Sequence, residues 1–203
     1  MLFYDSVGPN PRVPRIFFAE KGVEIPRTTI DLRGGENRRE PYLAKNPVGQ
    51  MPALELDDGT VLTEITAICE YIEEQHPSPP LIGTTAEERA ETRMWTRRID
   101  LNIIEPMVNG FRFAEGLKLF QKRIHCIPQA ADDLKATARK NLAWLDRQLE
   151  GRPFVCGERV TLADIMLLAF LEFGANVGQK PDESLRNVNG IVERMKSRPS
   201  AAA

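Results

Sequence analysis

His76-Pro77-Ser78-Pro79-Pro80 cannot continue a helix, and this proline run separates two stretches of chain with different periodicity. On its N-terminal side short apolar runs alternate with helical pattern. Strands are predicted at 2–4 and 28–32, with a helix over 11–21 between them closed by Gly22. A short helical piece at 40–45 is followed by a hairpin of 53–56 and 61–62, whose Asp57-Asp58-Gly59-Thr60 link carries the Asp-Gly turn signal. A helix over 64–75 completes the stretch. The order βαβ then ββα predicts a small sheet with helices on its faces.

Beyond the prolines only helical spacing is present. Thr85 and Glu88 form a capping box, and Ala90, Met94, Leu101 and Ile104 keep helical spacing as far as Pro106, where the helix is expected to stop. Leu134, Ala138, Leu142, Leu145 and Leu149 repeat at intervals of four, four, three and four, ending at Gly151. In Val160-Thr161-Leu162-Ala163-Asp164-Ile165, Thr161 reads as an N-cap and Asp164 as the acid reaching back to it. The apolar run 165–171 then predicts a buried axial helix, and Asp164 a structural role. The fold class expected is an α/β thioredoxin-like domain over 1–76, a connector over 77–84 and an all-α helical-bundle domain over 85–203.

Charge and cysteine usage exclude several classes of function. With 27 basic against 29 acidic residues the formal charge is −2, which gives a nucleic acid no basic face. No apolar run reaches the roughly 18 residues of a membrane span and no signal segment opens the chain, so a soluble, cytoplasmic protein is expected. Cys69, Cys126 and Cys156 are too widely spaced for a C-x-x-C pair and read as reduced structural thiols; with His76 and His125 they make no metal-ligand spacing, so no metal is expected.

Asn46-Pro47-Val48-Gly49-Gln50-Met51-Pro52-Ala53-Leu54 and Leu62-Thr63-Glu64-Ile65-Thr66-Ala67-Ile68 together read as a site for a carboxylated peptide. A cis bond before Pro52 would turn the Met51 N–H and C=O outward, and the helix start at Glu64 and Ile65 offers free N–H groups to a carboxylate. This pair of segments resembles the glutathione-binding half of the cytosolic glutathione S-transferase family, of bacterial type, and the resemblance covers nearly the whole chain. It implies glutathione as cosubstrate, held by Asn10, Arg38, Gln50, Met51, Pro52, Glu64 and Ile65. Arg38 and its neighbour Asn37 fit a solvated loop equally well. Ile65 stands where the family has a serine, which removes one hydroxyl from the ligand carboxylate; one neutral hydrogen bond is worth roughly 0.5–1.5 kcal/mol.

The activity that the resemblance implies is stabilisation of the glutathione thiolate and its conjugation to a small electrophile, in detoxification. A glutathione-dependent disulfide oxidoreductase and a non-catalytic interaction module are the alternatives. An ungapped alignment through Asn10-Pro11-Arg12 puts Gly8 where many members carry a catalytic serine, leaving Asn10 at the expected helix N-cap and Ser6 as candidate catalytic groups, with Tyr4 as a further alternative. Phe111, Arg112 and Phe113 are the candidate electrophile site, two aromatics and a cation suited to an apolar or anionic substrate, core packing being the other account of the phenylalanines. The family also implies a homodimer, to whose ligand Asp100 could reach across the interface.

Overall fold

The computed structural model describes residues 1–203, grouped into two compact units: Met1–Ile82 with Pro199–Ala203, and Gly83–Arg198. The first unit carries a four-stranded sheet of order β2-β1-β3-β4, formed by β1 (Leu2–Asp5), β2 (Arg27–Thr29), β3 (Ala53–Glu55) and β4 (Val61–Thr63). β1 runs parallel to β2 and antiparallel to β3, with Tyr4 opposite both Thr28 and Ala53. β3 and β4 form the expected hairpin, Leu54 opposite Leu62, and Asp58 accepts the Thr60 N–H at 2.8 Å in its turn. β2 is shorter than the sequence pattern suggests; Ile30, the next residue, still donates its N–H to the Asp5 carbonyl at 2.8 Å and is buried in the core at 5% exposure.

Helix α1 (Pro9–Lys21) starts two residues earlier than expected. Its N-cap is Gly8, at φ 111° and ψ 172°, and Asn10 is the second helical residue; the N-cap reading of Asn10 is therefore corrected. Proline suits the first turn because its φ is preset and the missing N–H would have no intrahelical acceptor, so Pro9 opens the helix as readily as Pro11. Pro14 does not interrupt it, although it has no N–H to offer the Asn10 carbonyl. Val13, Ile16 and Phe17 of α1 are buried, α1 packs on α3 (Ile65–Gln75), whose Ile68 and Ile72 are buried too, and Phe18 meets Phe3 of the sheet edge-on at 5.2 Å between ring centroids.

Lys21 and Glu73 make an ion pair inside this unit. Lys21 also donates to the Pro79 carbonyl at 2.5 Å, and Glu73 accepts the Leu81 and Ile82 N–H groups at 3.1 and 3.0 Å, so each buried charge finds further partners. The short helix α2 (Tyr42–Lys45) and a 3-10 turn at Glu36–Arg38 precede β3.

The second unit is helical: α4 (Ala86–Ile99), α5 (Glu105–Arg112), α6 (Leu117–Phe120), α7 (Ala131–Gln148), α8 (Leu162–Asn176) and α9 (Arg186–Lys196). Pro106 does not stop the long helix, as the sequence suggests it should. A π-helical segment at Asp100–Ile104 joins α4 directly to α5, and Pro106 falls in the first turn of the resumed helix, where its missing N–H is tolerated. The buried face carries Thr92, Trp95, Ile99, Ile103 and Met107, while Met94 and Leu101 are 40% and 47% exposed. Of the expected apolar series Ala90, Met94 and Leu101 are thus on the outer face, and Ile104, beyond the change of pitch, is buried. The change of pitch at the π segment rotates the two halves of the helix, and a single helical period cannot follow that.

The start of α8 is as expected. Thr161 and Asp164 form a capping box, and Asp164, fully buried, accepts the Val155 N–H at 2.7 Å, the Thr161 N–H at 2.8 Å and the Thr161 hydroxyl at 2.9 Å. No helix in the structure is long and apolar enough to cross a membrane.

Candidate functional site

The first unit has an open cleft lined by Asn10, Asn46, Val48, Gln50, Met51, Pro52, Thr63, Glu64 and Ile65. Residues 46–51 form one wall, the start of α3 another and the first turn of α1 the third. The Met51-Pro52 bond is cis, and no backbone hydrogen bond engages the Met51 N–H or C=O.

Side chains behind the loop hold its carbonyls away from the cleft. Arg38 Nη1 donates to Val48 O at 3.1 Å, Asn37 Nδ2 to Gly49 O at 2.6 Å, and Asn46 Nδ2 and the Tyr42 hydroxyl to Gln50 O at 2.9 and 2.7 Å. Gly49 is required here. Its φ is +63°, and a Cβ would stand 2.8 Å from the Asn37 carbonyl oxygen. With the preceding carbonyls so engaged, Met51 is the residue of the loop left to pair with an extended ligand backbone.

At α3 the first intrahelical bond runs from the Ile68 N–H to the Glu64 carbonyl, and no side chain caps the N–H groups of Ile65, Thr66 and Ala67. They form an anion site of the helix N-terminus type. Glu64 is the N-cap at φ 67° and ψ 123°, a conformation that costs a non-glycine residue about 1–3 kcal/mol. Its carboxylate is exposed and makes no hydrogen bond or ion pair within the protein. A carboxylate acceptor therefore stands beside N–H donors, an arrangement that complements an amino acid head group carrying both an ammonium and a carboxylate.

Of the two candidate catalytic groups, only Asn10 lines the cleft. Its side-chain amide has no protein partner, and Pro9 and Pro11 on either side have no N–H, so Asn10 supplies the donors of this first turn. The Ser6 hydroxyl is buried and donates to the Ile30 carbonyl at 2.8 Å, while its N–H binds Asp5 Oδ1 at 2.8 Å. Arg15 closes that corner with a 2.7 Å ion pair to Asp5. The Tyr4 hydroxyl donates to Glu55, which Lys45 contacts at 2.8 Å. Burial, then the Glu55 contact, pushes the Tyr4 hydroxyl pKa up.

Gln50, Met51, Pro52, Glu64 and Ile65 come together as the sequence suggests, and Arg38 stands behind the loop instead of lining the cleft. Asn46, Val48 and Thr63 line the cleft as well. In the sequence Asn46 is marked by its place before Pro47 at the loop entrance, where a side-chain amide can bridge a turn, and Thr63 only by its position at a strand end.

In the second unit Phe113 is buried at 9% exposure, so core packing accounts for it. Phe111 meets Phe173 and Phe120 edge-on, at 5.2 and 6.0 Å between ring centroids. The Arg112 guanidinium lies 5.5 Å from the Phe120 centroid and donates to Asn109 Oδ1 at 3.1 Å. Buried Cys69 and Cys156 have thiols whose pKa burial raises, as inert structural thiols do.

A family model described as the N-terminal domain of glutathione S-transferase matches residues 7–75, and one described as its C-terminal domain matches residues 116–199. Glutathione S-transferase 2 of Saccharomyces cerevisiae is 35% identical over 98% of this chain and 87% of its own length. The crystal structure of Gtt2 from Saccharomyces cerevisiae is similar at a TM-score of 0.90 and 32% identity, covering 100% of this chain and 99% of that one. Elongation factor 1-gamma of Homo sapiens is 35% identical over 68% of this chain, a match spanning 29% of that protein.

Proposed function

This chain belongs to the glutathione S-transferase family, and we propose that it binds glutathione in the cleft beside Met51, stabilises the thiolate through Asn10 and transfers it to a small electrophile. One observation carries this reading: a single cleft presents the unpaired Met51 backbone, the open N-terminus of α3 with Glu64, and the Asn10 amide. The cysteinyl backbone of glutathione pairs with Met51. Its γ-glutamyl carboxylate takes the N–H groups of Ile65 and Thr66, and its ammonium faces Glu64. Gln50 reaches the ligand backbone or a carboxylate, and Pro52 shapes the floor. The sulfur then lies toward Asn10, whose donors favour the charged form of a thiol with an ordinary pKa of about 8.5.

The transfer is a displacement. The thiolate attacks the electrophilic carbon, the carbon–sulfur bond forms, and the leaving group departs with the electron pair. Phe111 and Arg112 are assigned to the second substrate. Cytoplasmic residence and a homodimer complete the reading, with the exposed Met94 and Leu101 of the long helix available to a second copy.

Ultraviolet difference titration of glutathione with the protein across about pH 5–9 tests this directly. A saturable thiolate absorbance well below pH 8.5, roughly the free-thiol value, is the expected result, followed by turnover of an aromatic halide. Turnover of hydroxyethyl disulfide in place of the aromatic halide favours a disulfide reductase using paired glutathiones, a reading supported by Asn10 in the cleft and the absence of a C-x-x-C pair. No binding leaves a non-catalytic module, toward which the likeness to elongation factor 1-gamma points.

A further inference from the structure

Arg112, at the end of α5, is a half-buried cation without an anion. Its one protein hydrogen bond goes to the neutral Asn109 amide, and its Nε is buried with no acceptor. Glu105, one helical turn before Asn109, does not pair with it; Glu105 Oε1 instead accepts Asn109 Nδ2 at 2.9 Å. The amide therefore relays between carboxylate and guanidinium and fixes the direction of the latter while leaving it without a direct ion pair. Burial lowers the Arg112 pKa, and the nearby Glu105 carboxylate acts in the opposite direction.

The surroundings are aromatic. The guanidinium lies near the Phe120 ring, Phe120 meets Phe111, and Phe111 meets Phe173. Gly116 admits these rings closely, since a Cβ there would stand 2.9 Å from Phe111 Cε1 and 3.1 Å from Phe120 Cδ2. Leu119 and Ile127, on the segment that follows, are 41% and 46% exposed. A structural arginine would be expected to end on a carboxylate or on several carbonyls, because leaving a buried donor unsatisfied costs about 1–3 kcal/mol. Arg112 keeps that cost, and a planar fork of free N–H groups beside aromatic rings matches a carboxylate on an aromatic ring.

We propose that Arg112 anchors an anionic group of the second substrate, whose class is an aromatic carboxylate carrying an electrophilic carbon. The proposal rests on the transferase reading above. It adds that Arg112 decides specificity and that the uncharged counterpart of the same electrophile is the poorer substrate.

The test compares 4-chloro-3-nitrobenzoate with its methyl ester. In both, glutathione thiolate forms a bond to the chlorine-bearing carbon and chloride leaves with the bonding pair. Each kcat/KM is divided by the uncatalysed rate constant, which removes intrinsic reactivity. The native protein is expected to favour the acid by about tenfold or more, with most of that ratio lost in Arg112→Met and part of it kept in Arg112→Lys, which retains the charge without the fork. A native ratio near one, or a ratio that survives Arg112→Met, overturns the proposal. Calorimetry with the unreactive pair 4-methyl-3-nitrobenzoate and its ester makes the same comparison without chemistry. Preference for the acid, lost in Arg112→Met, with no turnover of either chloride supports the anion site and rejects the transferase reading. Turnover of both chlorides with no preference in either measurement rejects the anion site alone.

Discussion

The Tyr42 hydroxyl donates to the Gln50 carbonyl at 2.7 Å, and Asn46 Nδ2 reaches the same oxygen at 2.9 Å. Both side chains are buried, and both act on the residue just before Met51. Tyr42 is therefore a positioning residue: it turns one peptide plane inward so that the next is left to the ligand. Tyr42→Phe removes one hydrogen bond worth about 1 kcal/mol and leaves Asn46 in place. The expected outcome is a three- to tenfold rise, roughly, in KM for glutathione with kcat within about twofold. Steady-state kinetics with glutathione varied at fixed electrophile decides it; equal loss in both constants would mean that the tyrosine acts through the fold as a whole.

Asn10 and Ser6 give opposite expectations. Asn10→Ala removes a side-chain donor from the cleft and leaves the backbone pairing of glutathione at Met51 intact. Turnover should fall by about 10- to 100-fold, with a much smaller change in glutathione affinity and a higher pKa for the bound thiol. Ser6→Ala removes the buried hydroxyl that holds Ile30 O, so it should lower the unfolding midpoint while leaving the bound-thiol pKa unchanged. Thiolate absorbance measured against pH for both variants distinguishes the roles.

Glu64 combines a strained backbone with a free carboxylate, and one substitution separates the two. Glu64→Gly relieves φ 67° and should raise stability by about 1 kcal/mol, while removing the group that faces the ligand ammonium. Glutathione affinity should fall about tenfold or more. Denaturant unfolding and calorimetry together check the trade; a variant neither more stable nor weaker in binding would remove Glu64 from the site.

The sequence made much of this legible where local chemistry decides the structure. The Asp58-Gly59 turn, the Thr161 and Asp164 cap and the Met51-Pro52 edge each follow from residue types whose preferences leave few options. Legibility failed where several options were equally compatible with the residues. Pro9 and Pro11 both suit a first helical turn, so the start of α1 was misplaced by two residues, and with it the role of Asn10 as a cap. Met94 and Leu101 mimicked a buried face because Trp95, Ile99 and Ile103 form a second apolar series, and the π segment shifts the period between them. Ser6 looked available because no sequence pattern tells that a serine hydroxyl will meet the carbonyl of Ile30, 24 residues away.

Asp164 gives the fold a pH dependence of unusual sign. Its carboxyl is fully buried, and burial raises its pKa from 3.8 to about 6 against the opposing effect of the Val155 and Thr161 hydrogen bonds. Because the folded pKa exceeds the unfolded one, the folded state binds the proton more tightly. The stabilisation from this group is complete below about pH 4 and is lost as the pH rises through about 6. Its size is on the order of 2–3 kcal/mol, at 1.36 kcal/mol per pKa unit. Partly exposed carboxylates such as Glu55 and Glu88, held below their usual range by hydrogen bonds, act in the opposite direction, so Asp164 is isolated only by comparison with a variant. Asp164→Asn does isolate it. The amide cannot ionise, and it places an N–H2 group where one carboxylate oxygen accepted a hydrogen bond, so the variant should be less stable at every pH. The stability difference between native protein and variant should be largest near pH 4 and shrink by about 2–3 kcal/mol on going to pH 7. Urea unfolding at intervals between those limits measures it. A difference that grows with pH would mean that the hydrogen bonds from Thr161 and Val155 outweigh burial and keep Asp164 ionised in the fold.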